Sequence, residues 1–280
     1  MQHRIKMIGF DLDGTLLTEQ KELGEYTVRI LERAAEEGIE ILPVTGRPLC
    51  GLPEEVRKIC GLRYAITANG ARILDLASGT VLKEQLVDTK TAGQILDILG
   101  KYDTLREIYY DGTGYAQREQ LAQIEHFFGE SAMAEYVRST RCPVEDLMEK
   151  FHTENRAVDK VQGVFADLEE RKKALEEIES LTGVTVTKAL KNNIEVNAAG
   201  VNKGDALVWL AKRLEIMPKE TLAFGDGNND FALLEKAGTG VAMKNGIEEI
   251  KRVADEMTEK TNDEEGVAQF IETYVLKKGE

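Results

Sequence analysis

The sequence is poor in several respects, and each shortage closes a class of function. Its 280 residues hold 36 lysines and arginines against 50 aspartates and glutamates, a formal net charge of −14. That field repels a phosphate backbone, so nucleic acid is not an expected partner. No uncharged apolar run approaches the ~18 residues of a membrane span, and the first ten residues lack the apolar core and small-residue cleavage site of a signal peptide. Three cysteines, Cys50, Cys60 and Cys142, form no CxxC pair and are odd in number. They are expected to be reduced, mostly buried thiols in a cytoplasmic protein. The three histidines, His3, His126 and His152, show neither HxH nor HExxH spacing, which argues against a zinc site. A GxSxG elbow, a Cys/His pair and a GxxxxGK[ST] loop are also missing. What remains as a candidate nucleophile is a carboxylate.

The chain does have the means to build a core. Hydrophobic residues make up 42% and charged residues 31%, a globular balance rather than a disordered one. Its length exceeds the ~100–200 residues of one ordinary domain. Short apolar runs at Lys6–Phe10, Ile39–Val44 and Tyr64–Thr67 alternate with helix-length segments, Gly24–Glu37 and the stretch from Pro48 or Pro53 to Ile59. This alternation predicts an α/β fold with a doubly wound parallel sheet. From about Glu84 to Ala189 the pattern changes: a helix over Thr91–Tyr102, a strand pair over Arg106–Ala116 turning at Asp111-Gly112, polar helices, then strand, helix and strand to Lys188. That order suits an inserted α+β domain with an antiparallel sheet. Regular alternation is expected to return with a strand at Asn193–Asn197, followed by the helix Val201–Leu214 and the strand Thr221–Gly225. The expected division is a core from residues 1–83 and 190–280, and an insert from 84–189. The insert has 13 basic and 21 acidic residues, so neither part reads as a nucleic-acid module.

Chemistry concentrates where apolar runs end. Phe10-Asp11-Leu12-Asp13-Gly14-Thr15 sets two aspartates two apart beyond a strand, the edge at which open α/β sheets bind ligands. Phe224-Gly225-Asp226-Gly227-Asn228-Asn229-Asp230 repeats the arrangement late in the chain. Four carboxylates at one sheet edge repel unless a cation holds them, and hard oxygen donors suit Mg²⁺ or Ca²⁺. An EF-hand is ruled out because its sixth and twelfth positions, counted from Asp226, are Phe231 and Ala237. A dinucleotide GxGxxG would need glycine where Asp230 stands. Thr45-Gly46 offers a hydroxyl and an open backbone N–H at a third strand end. Lys203 opens an amphipathic helix, where a cation and a helix N-terminus can both face an anion. Singly, the first is an ordinary turn and the second a solvated charge; with the aspartates they form one constellation.

These four segments, in this order, resemble the four motifs of the haloacid dehalogenase superfamily. The long insert between the second and third resembles its Cof-type branch of Mg²⁺-dependent phosphatases, with a type IIB (C2) cap. Thr67-Ala68-Asn69-Gly70-Ala71 and Thr261-Asn262-Asp263-Glu264-Glu265-Gly266-Val267-Ala268 are similar to further segments of that branch. Asn202 departs from it, standing where relatives often have serine. The resemblance implies a Rossmann-like core, and a cap that closes over the site and contacts the leaving group. It implies that Asp11 attacks phosphorus and that Asp13 protonates the leaving oxygen and then activates water. Asp11, Asp13 (through its carbonyl), Asp226 and Asp230 would hold Mg²⁺, while Leu12, Thr45, Gly46, Lys203 and Asn229 would hold phosphoryl oxygens.

The expected activity is hydrolysis of small phosphorylated metabolites, sugar phosphates first and nucleotide or cofactor phosphates second. A phosphosugar mutase, a phosphorylated receiver domain and a non-catalytic phosphometabolite binder are the competing readings. A receiver is much shorter, and a binder needs no nucleophile. Arg47 is open between a substrate contact and an acidic neighbour. Tyr109, Tyr110, Tyr115, Phe127 and Phe128 are read as core or interface, and Trp209 as core. Oligomeric state is not legible.

Overall fold

A computed structural model of the chain describes residues 4–276; His3 lies outside them. The strands, in chain order, are β1 (Met7–Phe10), β2 (Glu40–Pro43), β3 (Tyr64–Thr67), β4 (Arg72–Asp75), β5 (Thr80–Glu84), β6 (Thr104–Tyr110) and β7 (Thr113–Gln117). They continue with β8 (Arg141–Val144), β9 (Lys160–Phe165), β10 (Val184–Thr187), β11 (Asn193–Ala198), β12 (Thr221–Gly225), β13 (Thr239–Ala242) and β14 (Glu256–Met257). The chain forms two compact units. Among the described residues, one comprises 4–46, 52–83 and 202–276, the other 47–51 and 84–201.

In the first unit five parallel strands pair in the order β14-β13-β12-β1-β2. Both faces of β1 and β12 are buried, as an all-parallel sheet requires, so these strands read as continuous apolar runs. Met7, Leu42, Val44, Ala223, Leu207, Leu210 and Leu233 share one core cluster, which ties the helix Lys203–Arg213 onto the sheet. Trp209 on that helix is only half-buried against the cluster. The run Tyr64–Thr67, expected as a third parallel strand, touches the sheet through a single parallel bridge, Val44 to Ile66. Its main partner is β4, antiparallel. Few residues separate β3 from β4, so a hairpin is the available pairing.

The second unit is a six-stranded sheet in the order β10-β11-β9-β6-β7-β8. Asp111 and Gly112 turn the β6–β7 hairpin with φ of 51° and 75°, the two positive values of a type I′ turn. The sheet is antiparallel except for β7 with β8. Three short helices, Arg118–Ala122, Ile124–Phe128 and Ala132–Thr140, supply the crossover that a parallel pair needs. Leu105, Leu121, Ile124, Phe127, Val137 and Val164 fill the space beneath them. Asn193–Asn197 was expected to open the return to regular alternation, but it lies in β11 and bonds to β9 and β10 of this sheet. Buried along its length, it has no alternation from which its partner could be read.

The cysteine expectation also needs correction. All three are free, but Cys60 and Cys142 are exposed and only Cys50 is partly covered. Cys60 follows a short helix in a turn, and Cys142 lies on the edge strand β8. No helix among the described residues is long and apolar enough to cross a membrane.

Candidate active site

Register alone brings three motifs to one edge. Phe10 pairs with Phe224 on one side and Pro43 on the other, so β12, β1 and β2 end together. The Asp11 N–H donates to the Phe224 carbonyl at 3.0 Å, and the Val44 N–H donates to the Phe10 carbonyl at 2.8 Å. Asp11, Thr45 and Asp226 thus leave the sheet at its carboxyl edge.

The chain then turns sharply after β1. The Leu12 carbonyl accepts from the N–H groups of Thr15, Leu16 and Leu17, closing a tight turn that begins between the two aspartates. Gly14 has a φ of +78°, and a Cβ there would lie 2.4 Å from Asp226 Oδ2. Only glycine permits both the left-handed backbone and the approach.

Lys203 is the centre of the arrangement. It is fully buried and donates to Asp11 Oδ1 at 2.7 Å and to Asp230 Oδ1 at 2.6 Å. Its helix begins on Asn202, whose side chain accepts from the Asp205 N–H at 2.8 Å, so the asparagine caps the helix in place of a serine. A lysine at a helix N-terminus opposes the macrodipole; here two carboxylates compensate it. The Asp230 Oδ2 accepts from the backbone N–H groups of Asp226 and Gly227, both at 3.0 Å. Asp226 Oδ1 accepts from the Thr15 hydroxyl at 2.8 Å.

Burial pushes the Asp11 carboxyl up from 3.8 to about 7; Lys203 opposes this, while Asp230 and Asp13 add to it. Burial likewise raises Asp226 well above the carboxylate range, assisted by Asp230 and Asp11. Burial alone would lower Lys203, but Asp11 and Asp230 outweigh it and hold the ammonium charged. Asp11, Asp226 and Asp230 each offer an oxygen, and these atoms lie within 4.8 Å of one another. Three largely buried acids around one lysine leave an excess of negative charge, and an all-oxygen donor set fits a hard divalent cation.

The other expected residues have contacts of their own. Thr45 is buried, with its N–H donated to Ile66 and its carbonyl accepting from Asn69; Gly46 follows it, half-buried. Asn229 donates to Asn69 Oδ1 at 3.3 Å. The Asp13 side chain is not part of the three-acid group; it pairs with Lys21 at 2.8 Å. Arg47 stacks on the Tyr136 ring, 4.1 Å from its centroid, and donates to the Gly51 carbonyl. Thr15, Lys21 and Asn69 carry contacts that motif reading did not assign. Asn69 had a visible signal, an Asn-Gly step whose φ here is +59°; Lys21 had none.

Comparison with known proteins points to one family. The family model for haloacid dehalogenase-like hydrolases matches residues 8–271. The chain is 31% identical to Phosphatase YwpJ of Bacillus subtilis, over 95% of this chain and 99% of that one. It is 28% identical to the 5-amino-6-(5-phospho-D-ribitylamino)uracil phosphatase YcsE of the same organism, over 97% and 96%. A solved haloacid dehalogenase-like hydrolase from B. subtilis, 31% identical, superimposes with a TM-score of 0.84 over 96% of this chain and 100% of that one. With its motif carboxylates and lysine gathered at one sheet edge, this chain belongs to the haloacid dehalogenase-like hydrolase family.

Proposed function

We propose that this hydrolase is a Mg²⁺-dependent phosphomonoesterase of small phosphorylated metabolites, working through an aspartyl-phosphate on Asp11. The observation that carries the reading is the buried Lys203 ammonium 2.7 Å from Asp11 Oδ1. A carboxylate approaching a phosphate dianion meets like charge, and a fixed cation beside the attacking oxygen offsets part of that repulsion. Asp11 forms the bond to phosphorus as the ester oxygen departs. Asp13 gives a proton to that oxygen and takes one from the water that later releases phosphate. Leu12, Thr45, Gly46, Lys203 and Asn229 are assigned to the phosphoryl oxygens. Asp11, Asp226 and the Asp13 carbonyl would hold Mg²⁺. Asp230, whose oxygens already serve Lys203 and two backbone N–H groups, would support them. When bound, the cation supplies charge neutralisation at the transferring group.

Sugar phosphates are the proposed substrate class, in a cytoplasmic setting. The test is phosphate release from sugar phosphates, nucleotides and an aryl phosphate, with Mg²⁺ and with chelator, beside Asp11→Asn. Mg²⁺-dependent release that the variant abolishes is the expected result. Isomerised sugar phosphate without free phosphate would favour the mutase.

A further inference from the structure

Asp13 does not stand unsupported in the first unit. Its Oδ1 meets the Lys21 ammonium at 2.8 Å, with both side chains partly exposed at 21% and 27%. An ion pair so open to water adds little stability, yet the loop that presents Lys21 is held firmly. Lys21 has a φ of +67°, a conformation uncommon outside glycine and asparagine. The turn around it closes through the Lys21 N–H to the Thr18 carbonyl, the Thr18 N–H to the Glu22 carbonyl and the Glu22 N–H to the Thr18 hydroxyl.

Residues more than two hundred positions away pin this loop. Asn262 Nδ2 donates to the Leu17 carbonyl at 2.9 Å, and the Asp263 carboxylate accepts from the Glu19 N–H at 2.8 Å. Asn245 Nδ2 donates to the Gly14 carbonyl at 2.7 Å, while its Oδ1 accepts from the Asn262 N–H at 3.0 Å. Glu265 then accepts from the N–H and hydroxyl of Thr27. The late segment Asn262–Glu265, together with Asn245, therefore grips the chain at Gly14, Leu17, Glu19 and Thr27.

We propose that Lys21 is a positioning residue for Asp13, and that the Asn245, Asn262 and Asp263 contacts exist to hold its loop in place. The proposal rests on the covalent reading above. In the second half of that cycle a water oxygen bonds to phosphorus, the bond from phosphorus to the Asp11 oxygen breaks with its electron pair returning to Asp11, and the water proton passes to Asp13. A partly exposed carboxylate can take several orientations, and the Lys21 ammonium favours one. Proton transfer depends on such alignment to a fraction of an ångström.

The experiment compares wild type, Lys21→Met, Lys21→Arg, Asp13→Ala and the Lys21→Met/Asp13→Ala double variant on 4-nitrophenyl phosphate and glycerol 3-phosphate. Acid-quenched phosphoenzyme is measured alongside kcat and KM. Lys21→Met is expected to lower kcat about tenfold, short of the roughly 10²–10⁴-fold that loss of the acid–base group itself costs, with KM little changed. Its steady-state phosphoenzyme should rise, and Lys21→Arg should restore most of the rate. Because Lys21 acts through Asp13, adding Lys21→Met to Asp13→Ala should cost nothing more. The same tenfold loss in both backgrounds, or an unchanged kcat in the single variant, overturns the proposal. If wild type turns over without phosphoenzyme and Asp11→Asn stays active, the covalent reading falls and the proposal with it.

Discussion

Replacing Lys203 by methionine asks whether the buried acids depend on that ammonium. Methionine keeps much of the volume and removes the charge, leaving Asp11 and Asp230 without the donor that both use at under 2.8 Å. Removing one partner of a buried pair costs about 3–5 kcal/mol when the other stays ionised. Asp11 can escape by protonating, so the cost depends on pH. In the wild type Asp11 titrates near 7 rather than 3.8, because burial outweighs Lys203. A folded-state pKa above the unfolded one means the native state binds the proton more tightly. Its contribution is complete below about pH 4 and fades as pH rises toward about 7, an interval corresponding to about 4 kcal/mol at most. Without Lys203 nothing from that side opposes burial, and the window extends to higher pH. In chelator, Lys203→Met should therefore lose about 1 kcal/mol near pH 5 and about 3–5 kcal/mol near pH 8. Urea unfolding followed by the fluorescence of Trp209, the single tryptophan and on the same helix, reads the difference. Millimolar Mg²⁺ should recover part of the loss at the higher pH. Equal losses at both pH values, or a loss near pH 8 of less than about 1 kcal/mol, would refute the reasoning.

Asp11→Asn should abolish phosphate release while leaving the urea midpoint at or above that of wild type, since a neutral amide is easier to bury than a carboxylate. Thr15→Val removes the 2.8 Å hydroxyl donor to Asp226; a several-fold rise in the Mg²⁺ concentration needed for half-maximal activity is expected, with KM for substrate little changed. Gly14→Ala sets a Cβ against the Asp226 carboxylate on a backbone with φ of +78°, so activity should fall more than tenfold and Mg²⁺ titration should show weakened binding. Gly204→Ala would bring a Cβ to 1.9 Å from the Ala232 carbonyl oxygen; the helix must move, and thermal unfolding should show a loss of at least about 2 kcal/mol.

The site was more legible than the architecture around it. Asp11, Asp226 and Thr45 could be placed because each follows an apolar run at a strand end, and parallel register does the rest. Lys203 was marked by its place at a helix start. What sequence could not supply were contacts between distant polar residues: nothing local to Lys21 points to Asp13, and nothing in Asn262 points to Leu17. The alternating helices and strands of the first unit were readable from period and punctuation. The allegiance of Asn193–Asn197 was not, because a strand buried along its whole length offers no pattern by which to choose a sheet. Exposure of Cys60 and Cys142 was misjudged because cysteine's usual burial is a statistical habit, whereas a turn and an edge strand are particular places.

Residues Arg47–Gly51 directly follow the Thr45-Gly46 turn, yet they belong to the second unit. There the Cys50 N–H bonds to the Gly112 carbonyl at 2.9 Å, and Arg47 lies on Tyr136. The polypeptide therefore passes from one unit to the other four times, at 46/47, 51/52, 83/84 and 201/202. For recombination between relatives, the natural exchange cassette is then two pieces of unequal size, not one. A chimera that imports residues 84–201 alone would seat a foreign hairpin on the resident pentapeptide. Importing the five residues with it keeps that fit, and makes Gly46 the host residue that precedes the first imported piece.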